Sequence, residues 1–206
     1  MSFIIFDTEY TTWPGCQENG WKGNQKKEIV QIAALKVSDK LDVIDEFNAL
    51  CKPLINPILS DYFTELTHIS NTQIKKYGEL FSSVYKKFET FIGNDLCYSH
   101  AWGCDYINEA DGKIMNENVL LNHLSIAKKV TYRNIAPVFV ELYKNHNINI
   151  KSQCSGEIAK LLEIEKNMKH LKLDTHNAFY DTYSILEGLK FFFPESIELM
   201  KKKEKY

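Results

Sequence analysis

The sequence predicts an α/β domain, and three observations carry that prediction. The stretch FIIFDTE (residues 3–9) is apolar on both faces of an extended chain. Two further apolar, strand-like stretches follow at 28–37 and 43–53. Beyond residue 70 the apolar residues recur mainly at helical spacing.

Each element has its own local reason. In the first strand, Phe3, Ile5, Asp7 and Glu9 share one face, while Ile4, Phe6 and Thr8 share the other. Such a strand belongs at the centre of a sheet. Its carboxyl end carries two acids about 6.6 Å apart along the strand. In open α/β sheets that end is where ligands bind. A polar loop rich in turn residues, WPGCQENGWKGNQKK, separates it from EIVQIAALKV (28–37) and VIDEFNALCKP (43–53), the second stopped by Pro53. The three strands read as a meander. Helical spacing follows at 71–76 and 80–92, where Leu80, Val84, Phe88 and Phe91 form one stripe. DLCYSH (95–100) reads as a fourth strand. Helices are expected over parts of 105–124 and 133–145, with a fifth strand near 125–130. SQCSGEIAKLLEI (152–164) is amphipathic, with Ser152 or Ser155 as N-cap. In the last helix Asp181, Ile185, Leu189 and Phe192 form one face, Asn177 is the expected N-cap and Pro194 the stop. Asp181 therefore heads an apolar stripe, where a carboxylate needs a partner or a metal. His176 belongs to the lead-in loop.

Composition sets the outer bounds. A chain of 206 residues is expected to form one domain over 1–206. A hydrophobic content of 44% with 25% charged residues is that of an ordinary globular protein. The amino terminus has no basic region and only a four-residue apolar run, so neither a signal peptide nor a membrane span is expected. Five cysteines without a C-x-x-C suggest a reducing, cytoplasmic setting. Net charge is −2, so any nucleic-acid surface must be local. Arg133 is the sole arginine, which leaves phosphate contacts to lysines and backbone N–H groups.

The chemistry sits in five residues. Asp7 and Glu9 lie in FDTEYT, Asp105 in SHAWGCDY, and His176 and Asp181 in HNAFYD. Carboxylates gathered in one cleft repel each other unless a cation holds them. An oxygen-only set suits Mg²⁺ or Mn²⁺. A histidine alongside can take a proton from the attacking water. Together these point to metal-assisted phosphodiester hydrolysis. Each motif alone is weak, since D-x-E pairs are usually solvated and an acid at a helix start is favoured by the helix dipole. Glu109 and Asp111 follow Asp105 closely. Asp105 is preferred because it directly follows the fourth strand and completes W-x-x-D.

In order and spacing, FDTEYT, EIVQIAALKV, a middle aspartate and HNAFYD resemble the DEDDh branch of the DnaQ-like exonucleases. The resemblance covers nearly the whole chain. LSDYFTELTHIS (59–70) looks like that family's L-S-x-x-x-x-x-L-T-x-I segment. The W-x-x-D of AWGCDY, the N-I of YRNIAPVF and the S-Q of IKSQCSGEIAKLL look closest to the enhanced-RNAi and histone-mRNA exonuclease subgroup, which includes KapD-like proteins.

The resemblance implies a ribonuclease-H-like fold with a mixed five-stranded sheet flanked by helices. It implies a 3′-to-5′ exonuclease that uses two Mg²⁺ (or Mn²⁺) ions and releases nucleoside 5′-monophosphates. Asp7 matches the ligand that bridges the ions; Glu9, Asp105 and Asp181 match the other ligands; His176 matches the general base. By position, Tyr10 and Thr11 are candidates for phosphate contacts, Trp13 for stacking on a terminal base, and His68 for lining the nucleotide pocket. The expected partners are single-stranded RNA or DNA 3′ ends, with RNA first. The loop from Trp13 to Lys27 is longer than this pattern leads one to expect.

The rival reading is a noncatalytic nucleic-acid-binding module on the same fold. It would be favoured by loss of an acid or of the histidine, and all five are present. Cys97, His100 and Cys104 have a zinc-like spacing without a fourth ligand nearby, so Cys97 reads as an ordinary strand residue. The basic stretch EKNMKHLK (165–172) reads as a solvated loop or a contact to the phosphate backbone, and the tail KKKEKY as a frayed terminus.

Overall fold

The computed structural model describes residues 2–102, 110–125, 130–150 and 153–204. The chain runs from β1 (Ser2–Tyr10) through a short helix α1 (Cys16–Asn19) into β2 (Ile29–Ser38) and β3 (Val43–Lys52). Helices α2 (Asp61–Thr67) and α3 (Asn71–Tyr77) lead to a two-residue strand β4 (Glu79–Leu80) and to α4 (Phe81–Ile92). Then come β5 (Cys97–Ser99), α5 (Asp111–Leu121), β6 (Tyr132–Asn134) and α6 (Ala136–Asn145). A 3₁₀ turn at Ser155–Glu157 precedes α7 (Ile158–Leu161), and a second one at Glu165–Leu171 precedes α8 (Ala178–Phe191) and α9 (Glu195–Lys203).

The sheet has the order β4-β3-β2-β1-β5-β6. β1, β2 and β3 form the expected antiparallel meander, whereas β5 pairs parallel to β1, β6 to β5 and β4 to β3. The sheet is therefore mixed, with six strands where five were expected. The extra strand is β4, too short to leave a periodic signal. The fifth strand expected near 125–130 lies at 132–134; residues 126–129 fall outside the described set.

The two faces of β1 do different work. Phe3 and Ile5 pack with α6, α8 and α9 in one core layer. Ile4 and Phe6 pack with α4 and α5 in the other. Ile4, Ile5 and Phe6 are wholly inaccessible, and burying each such side chain contributes roughly 1.5–3 kcal/mol. Because β1 points Asp7 and Glu9 to the same face as Ile5, both acids turn toward α8. Thr8, on the opposite face, turns toward α5. In α4 the buried stripe is Phe81, Val84, Tyr85, Phe88 and Ile92. Leu80 is exposed and belongs to β4, so the expected stripe was displaced by one residue at its start.

Two other expectations fail locally. Residues 153–164 do not form one helix: the cap is Cys154, with its backbone N–H bonded to the Glu157 carboxylate, and only four α-helical residues follow the 3₁₀ turn; Ser152 lies outside the described residues. The tail is not frayed through KKK, because Ile197, Leu199 and Met200 bury one face of α9 in the core while Lys202 and Lys203 reach Glu141 on α6. Among the described residues no helix is long and apolar enough to cross a membrane.

Candidate active site

A cleft of about 530 Å³ opens at the carboxyl end of β1. Asp7, Glu9, Asp111, Asp181 and His176 all line it. Carboxylate oxygens of Asp7, Glu9 and Asp181 lie within 4.8 Å of one another. The sequence places them there by simple means. Strand alternation aims Asp7 and Glu9 at α8, and a register shift between Glu9 and Tyr10 ends the regular ladder beside them. Asp181 sits in the first turn of α8, whose start is fixed to the sheet. The Asn177 side chain caps the Phe179 N–H at 3.2 Å, and buried Gln31 on β2 donates to Asn177 Oδ1 at 3.3 Å while accepting from the Ala178 N–H at 3.1 Å. His176 immediately precedes this cap with φ of 62°, a left-handed conformation uncommon outside glycine. That backbone turn brings its side chain to the cleft.

Ser155 joins the two buried aspartates. Its hydroxyl lies 3.2 Å from Asp7 Oδ1 and 3.3 Å from Asp181 Oδ2. One hydroxyl proton serves one of them at a time, so a protonated partner can donate back while Ser155 donates onward. Asp181 Oδ1 has no hydrogen-bond partner although it is buried. Next to it runs Gly156, where an added Cβ would lie 2.2 Å from that same oxygen. The glycine is needed for close approach. The sequence offered Ser155 only as a helix cap; the S-Q signature beside it was the signal that marked the segment.

Of the candidate middle acids, Asp111 is the one that the structure describes. Asp105 lies outside the described residues. Asp111 opens α5: its N–H donates to Ser99 Oγ at the end of β5 (3.0 Å), and its Oδ1 accepts from the Thr8 hydroxyl (3.1 Å). Thr8 is thus the contact through which the second face of β1 delivers a fourth acid to the cleft.

Electrostatics of the cluster are those of acids lacking a counter-charge. Burial, then repulsion from Asp111, Asp181 and Glu9, raises the Asp7 pKa well above its ordinary value. Glu9 is likewise raised well above its ordinary value, by burial first and by Asp181 and Asp111 next. Burial pushes Asp111 up to about 7, opposed by the Thr8 hydrogen bond, and Asp181 up to about 8, opposed by Ser155 and the His176 backbone. An orphaned buried carboxylate oxygen, an all-oxygen donor set and four acids that cannot ionise together at low cost fit a divalent cation.

The proposed substrate contacts fare unevenly in placement. Tyr10 lines the cleft, and burial raises its phenol to about 12. Thr11 is buried behind it, its hydroxyl bonded to the Lys26 carbonyl (2.5 Å) and accepting from the Glu28 N–H (3.0 Å). Trp13 is half-buried and His68 is exposed at the C-cap of α2, both outside the residues that line the cleft. From the same α2 segment it is Tyr62 and Leu66, one turn apart, that face inward. The segment was legible and its face was not. His100 and Trp102 also line the cleft; burial pushes the His100 imidazole down to about 4, so it is neutral. Cys97 is a core residue of β5, Cys104 lies outside the described residues, and the 165–172 stretch does not line the cleft.

Comparison with known proteins agrees with this geometry. The RNase T exonuclease family matches residues 4–189. The 3′-5′ exonuclease eri1 of Schizosaccharomyces pombe is 33% identical over 91 residues, which cover 43% of this chain and 28% of that protein. The aligned region is thus less than a third of the curated relative's length. Among solved structures, a 3′-exonuclease that recognises the histone mRNA stem-loop has a TM-score of 0.62 at 20% identity, covering 98% of this chain and 82% of that one. The nuclease domain of 3′hExo, a DEDDh member bound to rAMP, has 0.61 at 19%, covering 98% and 92%. Escherichia coli exonuclease I with a dT13 oligonucleotide has 0.70 at 15%, covering 98% and 43%. A match that spans nearly the whole chain, over a mixed sheet ending in a carboxylate cluster, shows that the chain belongs to the RNase T exonuclease family.

Proposed function

We propose that the protein is a divalent-metal-dependent exonuclease that removes nucleoside 5′-monophosphates from the 3′ end of single-stranded nucleic acid, RNA in preference to DNA. The observation that carries this reading is the convergence of Asp7, Glu9 and Asp181 oxygens within 4.8 Å, in a cleft shared with Asp111 and His176. Asp7, Glu9, Asp111 and Asp181 would hold two Mg²⁺ or Mn²⁺ ions. Bound there, the ions supply Lewis acidity and positive charge for the phosphate.

The chain's own groups do the rest. His176 accepts a proton from the water that attacks phosphorus. The P–O3′ bond breaks, the 3′ oxygen leaves with a proton, and the products are a nucleoside 5′-monophosphate and a strand one residue shorter. Ser155 and Thr8 keep Asp7, Asp181 and Asp111 in place. Tyr10 borders the path of the substrate end. Asp111 takes the role that the sequence suggested for Asp105, because among the described residues it is the middle acid that lines the cleft.

RNA is the first choice because relatives of the same fold include one that recognises an mRNA stem-loop and one that holds rAMP. The fold shared with exonuclease I, which holds a DNA oligonucleotide, makes DNA 3′ ends the second choice. The deciding experiment is hydrolysis of 5′-labelled RNA and DNA single strands with Mg²⁺, with Mn²⁺ and with chelator. A ladder shortening from the 3′ end only with metal supports the proposal; hydrolysis undiminished by exhaustive chelation sinks it.

A further inference from the structure

The loop between β1 and β2 has no part in the chemistry described above, yet it extends the cleft. Gln17 on α1 lines the catalytic cleft and donates to the Tyr10 hydroxyl at 3.4 Å. The Tyr10 ring lies 6.0 Å from Trp21, centroid to centroid. The Lys27 ammonium stands 4.2 Å over the Trp21 ring and 5.5 Å from that of Tyr10. Trp21 and Lys27 in turn line a second pocket of about 260 Å³, bounded by Gln25, Lys26, Glu117 and Leu121. Tyr10 is thus common to the catalytic cleft and to an aromatic and cationic run leading away from it.

This run is built rather than incidental. The Trp21 indole N–H donates to the Thr11 carbonyl at 3.0 Å, and the Lys26 N–H to Asn56 Oδ1 at 3.0 Å, so the loop is tied to the ends of β1 and β3. Residues 20–27 contain three lysines and no acid in a chain of net charge −2. Lys22 and Lys26 are exposed, and among the described residues neither they nor Lys27 makes an ion pair. Glu117 is the single carboxylate at the pocket. Alternating rings and ammonium groups match a single strand, whose bases stack on aromatic faces while its phosphates meet point charges.

We infer that the 13–27 loop forms a second subsite, in which Trp21, Lys22, Lys26 and Lys27 hold the nucleotides upstream of the scissile linkage of a single-stranded nucleic acid. This rests on the exonuclease reading and goes beyond it, because it makes the enzyme sensitive to strand length. A dinucleotide would occupy the catalytic cleft alone; a longer strand would also cover the loop.

The test compares kcat/KM for a strand of about ten nucleotides with that for a dinucleotide of the same 3′ end, in the parent and in two variants. Lys22→Gln/Lys26→Gln changes exposed residues only, so folding is retained. It should lower the long-to-short ratio severalfold and make the slope of log(kcat/KM) against log salt, for the long strand, shallower by about 1.4, or 0.7 for each lost phosphate contact. Trp21→Ala should lower the ratio about fivefold or more through lost stacking. An unchanged ratio and an unchanged salt slope in the lysine variant would overturn the subsite while leaving the exonuclease assignment standing. A parent that hydrolyses neither substrate with any divalent ion would instead overturn the assignment, and the subsite with it.

Discussion

The acidic cluster makes a prediction about stability that does not depend on any assay of activity. Asp181 has a pKa near 8 in the folded protein and near 3.8 when exposed. Between those values the unfolded chain has released a proton that the folded protein still holds, so stability must fall as pH rises. The contribution is fully present below about pH 4 and lost by about pH 8. Four units at 1.36 kcal/mol each correspond to a loss on the order of 5 kcal/mol from Asp181 alone. Asp111, raised to about 7, acts in the same direction. About three of those units fall between pH 5 and pH 8.5, and for a chain of this size one kcal/mol shifts Tm by roughly 2–4 °C, so Asp181 alone should cost the metal-free protein about 8–16 °C over that range. Thermal unfolding followed by near-ultraviolet circular dichroism in chelator measures this directly. Added Mn²⁺ or Mg²⁺ should restore Tm at pH 8.5 and do little at pH 5, because binding needs the ionised carboxylates. Asp181→Asn should flatten the profile in chelator and reduce the rescue by metal. A Tm in chelator that is constant across this range, together with no response to either ion at pH 8.5, would refute the argument that these acids lack a counter-charge.

Further outcomes follow from the same geometry. Asp111→Asn should nearly abolish hydrolysis while Asp105→Asn stays within a fewfold of the parent; the opposite pattern returns the middle position to Asp105. His176→Ala should lower kcat by about 10²–10⁴-fold, yet keep the metal-induced rise in Tm, since all four acids remain; loss of that rise would make the histidine a ligand. Gly156→Ala should displace the Asp181 carboxylate, because its new methyl would sit 2.2 Å from Oδ1; the expected result is weaker metal rescue with the sheet intact by far-ultraviolet circular dichroism. Glu28→Ala should destabilise by about 2–5 kcal/mol, as its buried carboxylate accepts from the Leu54, Ile55 and Asn56 N–H groups at 2.6–2.8 Å; unaltered denaturant unfolding would argue that water replaces it.

Long elements with a strong period were legible. The three meander strands are extended, largely apolar runs of about ten residues each, and α8 carries an apolar stripe from Ile185 to Leu189 behind its acid. Of the short elements, the strand expected at 95–100 is β5, whereas β6 lies two residues beyond its expected place and β4, with two residues, is too short to hold a pattern. The place of Asp111 in the cleft was not legible for a related reason. From sequence, strand four reached His100, which made Asp105 its natural sequel. In the structure β5 stops at Ser99, and Ser99 Oγ receives the N–H of Asp111 at the head of α5. That bond spans twelve residues and leaves no local trace. The tail shows the converse case, since KKK looks solvated in sequence yet rides on Ile197, Leu199 and Met200, whose burial holds α9 in place.

What sequence reasoning could not supply at the site was the set of uncharged residues that hold the charged ones. Asp7, Glu9, His176 and Asp181 announce themselves by chemistry. Thr8, Gln31, Ser155 and Gly156 do not, because a hydroxyl, an amide and a missing Cβ are common everywhere. Yet each closes one gap: Thr8 turns Asp111 inward, Gln31 fixes the start of α8, Ser155 spans Asp7 and Asp181, and Gly156 allows the chain to pass beside them. They come from three elements, β1, β2 and the 3₁₀ turn at Ser155–Glu157, and none of them belongs to α8. The carboxylates are therefore placed by the whole sheet and not by the strand and helix that carry them. Because that frame consists of neutral hydrogen bonds and close packing, it can stay rigid while the acids gain or lose protons, and it leaves their negative charge available for a cation.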